Sequence, residues 1–461
     1  MTFKISDLPS SITTGGAVPI DSLFEVEASA LGASGKATGS QLKRLTSGSR
    51  YPKRICWVGD SIASLFAKCS TSSPLFWAQC ATPRDYGLEF NDMDFGAPGT
   101  SSSNILTQVT AVRALDPDII FYLTGMNDQG QAIGYVSGNV TSFRSSVKAR
   151  QNVIIPTTPN TRTTTPELIN QVNTYRSLAF ANADTIVSMF PHQIMLDDAS
   201  SGFLPIGGSG GGATAMTRDG THFSAVAGQA LGPKLDALMA SLGVPLMELT
   251  PAFTGDSYNA TTFPNGNIVI NGNMAGTFTA GAIFTPATGT LAPSWGNNPS
   301  ESAGMTTVYS ADTITLDGTA HAAIKMVTTA TGGVALATSS NISFRGTTVP
   351  LPNIGGAPVK VRVCALIEIT TCTKLSSINL QIGYQKSAAN ITTVFGSAYI
   401  GTTASEYLNF GSPKVLQMCL PGYLLCDAGT QPSFKISMTF NAGDIPSATI
   451  KLAQASITIL P

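Results

Sequence analysis

Charge is scarce in this chain. Of its 461 residues, 26 are Lys or Arg and 27 are Asp or Glu, 11% in all with a formal net charge of -1, against roughly 25% charged residues in an average soluble protein. A binder of nucleic acid or of an anionic membrane needs a basic patch to offset phosphate charge, so both classes are excluded. Cysteine is sparse and odd in number: Cys56, Cys69, Cys80, Cys364, Cys372, Cys419 and Cys426 imply no disulfide framework and predict free, mostly buried thiols. Those cysteines lack the close paired spacings of a tetrahedral zinc site, and three histidines leave little to complete one. No apolar run approaches the ~18 residues of a membrane span, so no membrane insertion is expected. Met1 to Pro19 carries no apolar stretch of the signal-peptide kind, and the expectation is a chain made in a cytosol and not exported by the general route.

Ser, Thr, Asn and Gly stand where the charge is missing, while the hydrophobic fraction is an ordinary 43%. A surface solvated by neutral hydrogen-bonding groups is usual for all-β extracellular or virion proteins. Without an export signal, one route to the outside is assembly inside a cell and release by lysis. At roughly 100 to 200 residues per domain the length predicts two or three domains.

Three regions differ in pattern. Residues 1–50 are rich in Gly, Ser, Thr and Ala without a sustained period and read as an extended arm. Within them Gly32 to Lys36 superficially suggests a phosphate loop, but Ala30 and Ala37 stand where Gly and Ser or Thr are required. Residues 51–246 alternate strands with helices: a strand over 54–58, a helix over 62–68, strands over 118–124 and 152–156, helices over 142–150 and 166–182, a strand over 185–190 and a last helix over 223–242 that stops at Gly243. Apolar strands separated by helices indicate an α/β unit with a parallel sheet covered on both faces. In residues 247–461 the period becomes 2, as in Val359, Val361 and Val363 between Lys360 and Arg362, which predicts an antiparallel β-sandwich of jelly-roll type.

Four short stretches carry chemistry. Gly59-Asp60-Ser61 ends the first strand where a helix begins, so the Ser61 hydroxyl projects over the C-terminal sheet edge at a helix N-terminus; a serine there can equally be a helix cap. Asp219-Gly220-Thr221-His222 puts a carboxylate within reach of an imidazole Nδ1, which leaves Nε2 free to take a proton from a serine; a loop histidine with Asp219 as a helix cap is the alternative. His192 and His321 lack an obvious partner and read as structural or surface residues. The Phe95 to Ser101 loop, containing Gly99, and Gly125-Met126-Asn127-Asp128 each follow a strand, and a glycine N–H and an asparagine amide are neutral donors suited to an oxyanion. Both are also ordinary turn sequences. Gly207 to Gly211 matches Gly-x-Ser-x-Gly around Ser209, but the run is too glycine-rich for the strained strand-to-helix elbow which that pattern needs; a loop bordering the cleft is expected.

In order and spacing, Gly-Asp-Ser, Gly, Gly-x-Asn-Asp and Asp-x-x-His resemble the SGNH hydrolase superfamily, also called GDSL esterases, over about residues 53–243. The resemblance implies a three-layer fold in which Ser61 is the nucleophile, His222 the general base and Asp219 its orienting partner. Gly99 and Asn127 would complete an oxyanion hole with the Ser61 N–H, and no metal or organic cofactor is needed. Ile62 replaces the usual Leu, and Asp94 the usual Asn before x-Gly, which leaves open how the Gly99 loop is supported. Arm, esterase and sandwich in this order resemble a bacteriophage tail fibre or tailspike. That likeness implies a homotrimer joined through its arm to a tail or baseplate protein and acting on acetylated host surface polysaccharide. By the same likeness, the stretch from Asn271 to Gly296 resembles the opening of a sugar-binding module, with Trp295 as a stacking platform; a core tryptophan is the alternative. Two rival readings are an adhesin that binds sugar without cleaving it and a bacterial lipolytic or acetylxylan-type esterase.

Overall fold

In the computed structural model, five parallel strands lie side by side in the order β2-β1-β3-β4-β5: β1 (Ile55–Gly59), β2 (Asp94–Gly96), β3 (Ile119–Leu123), β4 (Gln151–Ile154) and β5 (Thr185–Val187). The structure describes residues 51–156, 176–188, 216–247, 257–297, 304–397 and 413–460 apart from a few positions, with five short pieces elsewhere. Every residue of β1 and β3 is buried, which explains why neither alternates in sequence. Their register sets Gly59 level with Gly96 on one side and with Leu123 on the other. The loops that follow β1, β2 and β3 therefore leave the sheet at one edge. Since β2 and β3 flank β1, that edge is the reversal point where open α/β sheets bind ligands.

Around the sheet run α1 (Ser61–Ala67), α2 (Pro74–Ala81), α3 (Val109–Ala114), α4 (Tyr135–Val147) and α5 (Ala225–Ser241). The last helix ends before Gly243, whose φ of 69° is the left-handed cap expected there. Helix α4 covers Tyr135–Val147 rather than 142–150; Gly134, in a left-handed conformation, starts it earlier, and Lys148, also left-handed, stops it. Of the helix expected over 166–182, residues 176–181 are helical and 166–175 lie outside the described residues. Helix α2 has no counterpart in the sequence reading. Its sequence is Pro-Leu-Phe-Trp-Ala-Gln-Cys-Ala, with seven of eight residues buried and Ser73 Oγ accepting from Leu75 N–H as the cap. A helix buried all round carries no 3.6-residue period.

The β region is a sandwich. One sheet runs Thr288–Gly289, β6 (Met305–Leu316), β7 (Thr319–Ala330), β15 (Ser447–Ile459), β9 (Val359–Thr373) and β12 (Lys414–Cys419), with β13 (Leu424–Cys426) also on β9. The other runs Trp295–Gly296, β8 (Ser340–Gly346), β14 (Ser433–Phe440), β10 (Leu375–Lys386) and β11 (Ala389–Phe395). All pairings are antiparallel except the short parallel one of Thr288–Gly289 with β6. Tyr309 of one sheet meets Phe344 of the other edge to face at 5.8 Å, and its hydroxyl donates to Ser343 O.

The helical part and the sandwich share one buried core within a compact unit, Lys53–Pro461. Phe76 of α2 packs on Phe395 of β11 at 5.0 Å, and the backbone of each half bonds the other through Thr71 N–H to Ser397 O and Gly396 N–H to Cys69 O. Lys386 reaches the buried Glu89 at 2.6 Å, and Arg362 pairs with Asp85 at 2.5 Å. The expected arm lies largely outside the described residues. Within it, Phe24–Val26 pairs antiparallel with Gly35–Ala37, so Gly35 and Lys36 belong to a strand and not to a phosphate loop.

Candidate active site

Strand β1 delivers Asp60 and Ser61 to the start of α1 through Gly59. A Cβ on Gly59 would stand 1.9 Å from Leu123 O at a φ of 152°, so a side chain there would break the contact between β1 and β3. Asp60 caps the helix: its Oδ1 accepts from Ile62 N–H at 2.9 Å. Ser61 is the first helical residue and is buried. The cap is thus Asp60, which leaves the Ser61 hydroxyl for other work.

His222 Nε2 lies 2.8 Å from Ser61 Oγ, and His222 Nδ1 lies 2.7 Å from Asp219 Oδ2. A short loop holds this geometry. Thr217 and Phe223 pair across its base, Arg218 N–H donates to His222 O, and Asp219 Oδ1 accepts from the N–H groups of Thr221 and His222. Phe223 anchors the loop by packing edge-on against Phe66 of α1. Partial burial works to raise the Asp219 carboxyl, but the hydrogen bonds from the His222 ring and from the two backbone N–H groups outweigh it and hold the pKa well below the usual carboxylate range. An ionised Asp219 favours the tautomer with the proton on Nδ1 and lets Nε2 accept from Ser61.

The two donor loops are joined behind the site. Asn127 is exposed and donates one amide hydrogen from Nδ2 to Thr100 O at 2.9 Å. Asp128 is buried and takes Ser102 N–H on both oxygens, at 3.1 and 2.8 Å, and the Ser102 hydroxyl on Oδ1. Ser102 Oγ accepts in turn from Asn139 Nδ2 of α4. Gly99, exposed with a φ of 75°, sits three residues before this clamp. Asp94, the departure from the family pattern, bonds Ser64 Oγ of α1 through Oδ2 and Gly96 N–H through Oδ1. It therefore supports the start of the Gly99 loop from α1.

Sequence reasoning missed the clamp, although Asp128 directly follows Asn127 in the motif. Changing Asp128 to Asn would turn an acceptor toward Ser102 into a second donor. We expect kcat to fall about 10-fold, less than the 10²- to 10³-fold of a lost oxyanion donor, with KM unchanged; steady-state kinetics on a chromogenic acetyl ester reads this.

Asp60 is fully buried, and its Oδ2 has no hydrogen-bond partner. Burial pushes its carboxyl from the ordinary 3.8 up to about 7, against hydrogen bonds from the backbone of Ile62 and Met126 and the pull of His222. The folded state thus holds this proton more tightly than the unfolded chain does, so its contribution to stability is full below pH 3.8 and is lost as pH rises to about 7. In Asp60→Asn that slope should vanish, leaving the variant's advantage over the parent larger at pH 8 than at pH 5. Urea melts at the two pH values give the comparison.

Trp295 corrects an expectation. It is buried, its indole N–H donates to Asn271 O, and its ring meets Phe434 edge to face at 5.9 Å. An indole enclosed in this way offers no face for a sugar to stack on. Asn271 is likewise structural, bonding Ala275 and Pro293. His321 contacts Gln454 in the sandwich; His192 and Gly207 to Gly211 lie outside the described residues. Among the described residues no group of three or more His, Cys, Asp or Glu could hold a metal ion.

No protein-family model and no curated protein matches the chain. Among solved structures, it is similar to a putative lipolytic protein of the G-D-S-L family from Desulfitobacterium hafniense DCB-2, at 10% identity and a TM-score of 0.30 over 40% of this chain and 99% of that one. A structure of promiscuous carbohydrate-binding modules from the β-sandwich superfamily is similar over 36% of this chain and 56% of that one, at 13% identity and a TM-score of 0.21. The enzymatically active domain of bacteriophage CBA120 tailspike protein 4 is similar over 36% of this chain and 20% of that one, at 11% identity and a TM-score of 0.20. At these scores the likenesses are partial, and no activity passes from those proteins to this one.

Proposed function

We propose that the protein is a serine esterase that removes O-acetyl groups from a host surface polysaccharide, O-antigen or capsule, as part of a phage tail fibre or tailspike. The observation that carries the esterase reading is the unbroken hydrogen-bond chain from Ser61 Oγ through His222 to Asp219. Ser61 Oγ attacks the ester carbonyl as His222 Nε2 takes its proton, and Asp219 stabilises the imidazolium that forms. The Ser61 and Gly99 N–H groups and the second amide hydrogen of Asn127 receive the oxyanion. His222 returns the proton to the leaving sugar hydroxyl, and a water activated by the same imidazole then releases acetate from Ser61.

The polysaccharide part of the reading rests on composition and domain order: a surface poor in charge, and an arm and a sandwich on either side of the hydrolase. In this reading the arm joins the tail, the assembly is a homotrimer, and the chain leaves its host on lysis. The test is acetate release from purified, acetylated host polysaccharide, with Ser61→Ala as the control, alongside a series of chromogenic esters of increasing acyl length. Acetate release with an acetyl preference supports the deacetylase. Binding without release would favour an adhesin, and a preference for long chains a lipolytic enzyme.

A further inference from the structure

All seven cysteines are free thiols. Cys364 and Cys419 are also partners in the antiparallel ladder between β9 and β12. Leu420 N–H donates to Val363 O at 3.0 Å, which makes residues 363 and 420 a hydrogen-bonded pair. Pair types alternate along an antiparallel ladder, so Cys364 and Cys419 form a non-hydrogen-bonded pair, the type with Cα atoms about 4.5 Å apart and side chains closest. That spacing falls inside the range of about 4.4–6.8 Å that a disulfide accepts. Besides burial, Cys364 is near enough to help push the Cys419 thiol up. None of the other five cysteines has a cysteine opposite it in a ladder.

We propose that Cys364 and Cys419 are an oxidative modification site, where a cross-strand disulfide forms when the folded protein meets a small disulfide oxidant. The two sulfurs have different access. Cys364 is half-buried, beside Met247 Sδ at 3.9 Å, whereas Cys419 is buried. Burial pushes the Cys419 thiol up, so Cys364 is the sulfur that reacts first with an external reagent. With oxidised glutathione, the Cys364 thiolate attacks one sulfur and releases one glutathione thiolate. Cys419 then loses its proton as its sulfur attacks Cys364 Sγ, and the second glutathione thiolate leaves. Two protein thiols are oxidised and one glutathione disulfide is reduced to two thiols.

The site ties β9 to β12 against the helical half, since Met247, beside Cys364, donates its N–H to Pro83 O and β12 packs beside α2. The cross-link closes a long loop, which constrains the unfolded chain, and the oxidised protein should melt above the reduced one.

The test is to incubate the native protein with oxidised glutathione, quench in acid, alkylate in denaturant and map peptides by mass spectrometry. The expected result is the loss of two alkylatable thiols out of seven, one linked peptide joining Cys364 to Cys419, and full recovery on reduction. Cys419→Ser should instead retain a glutathione adduct on Cys364, and Cys364→Ser should give no link. Circular dichroism checks that both variants are folded, and the wild-type map stands without them. Seven alkylatable thiols after prolonged incubation, a link between any other pair, or a link that forms only in denaturant would each overturn the proposal.

Discussion

Ser61→Ala is expected to lower kcat on an acetyl ester by about 10⁴- to 10⁶-fold, the span seen when a nucleophile is removed from such a triad. The change deletes one oxygen whose partner is His222 Nε2. It should leave the fold intact, because Asp60 and not Ser61 caps α1 and the packing of β1 on β3 does not involve the hydroxyl. The measurement is therefore paired: turnover collapses while the thermal midpoint stays with the parent. Labelling by a fluorophosphonate should disappear in the same variant. If Ser61→Ala kept about a tenth of the parent's turnover, the nucleophile assignment would be wrong, since even an acid–base residue typically contributes 10²- to 10⁴-fold.

The second large effect concerns Asn127→Ala, for which a fall of about 10²- to 10³-fold in kcat is expected with KM nearly unchanged. The amide nitrogen of Asn127 has two hydrogens. One is spent on Thr100 O, which holds the side chain in a single orientation, and the other is available to the oxyanion. Because charge on the carbonyl oxygen develops only on the way to the tetrahedral state, the loss should appear in kcat. A rise in KM alone would mean that Asn127 binds substrate and transition state equally, and the oxyanion role would pass to other groups. The effect of Asp128→Asn should shrink once Asn127 is already alanine, because the clamp acts through the donor it positions.

The central strands β1 and β3 of the parallel sheet were legible from composition because every residue of each is buried, as in Ile119 to Leu123, so neither alternates with polar residues. The sandwich strands were legible for the opposite reason: Val359 to Val363 and Phe434 to Phe440 alternate because one face looks inward and the other outward. Helix α2 was not legible. A period appears only where a helix has a wet side, and α2 is enclosed between α5 and the sandwich. Trp295 was ambiguous for a related reason, since an indole that stacks on sugar and one that fills a core are the same residue in a string; the closure of the sandwich around it made the difference.

The linear chain sufficed to bring forward Ser61, His222 and Asp219, which the structure joins in one hydrogen-bond chain, because a parallel sheet carries the residues that follow its strands to one edge. It could not show that Asp128 bolts the Gly99 loop to the Asn127 loop, that Asp94 reaches Ser64, or that Cys364 faces Cys419. Those relations join residues 26, 30 and 55 positions apart. They depend on register, and register is settled by how whole faces pack, a property that no local stretch of sequence contains.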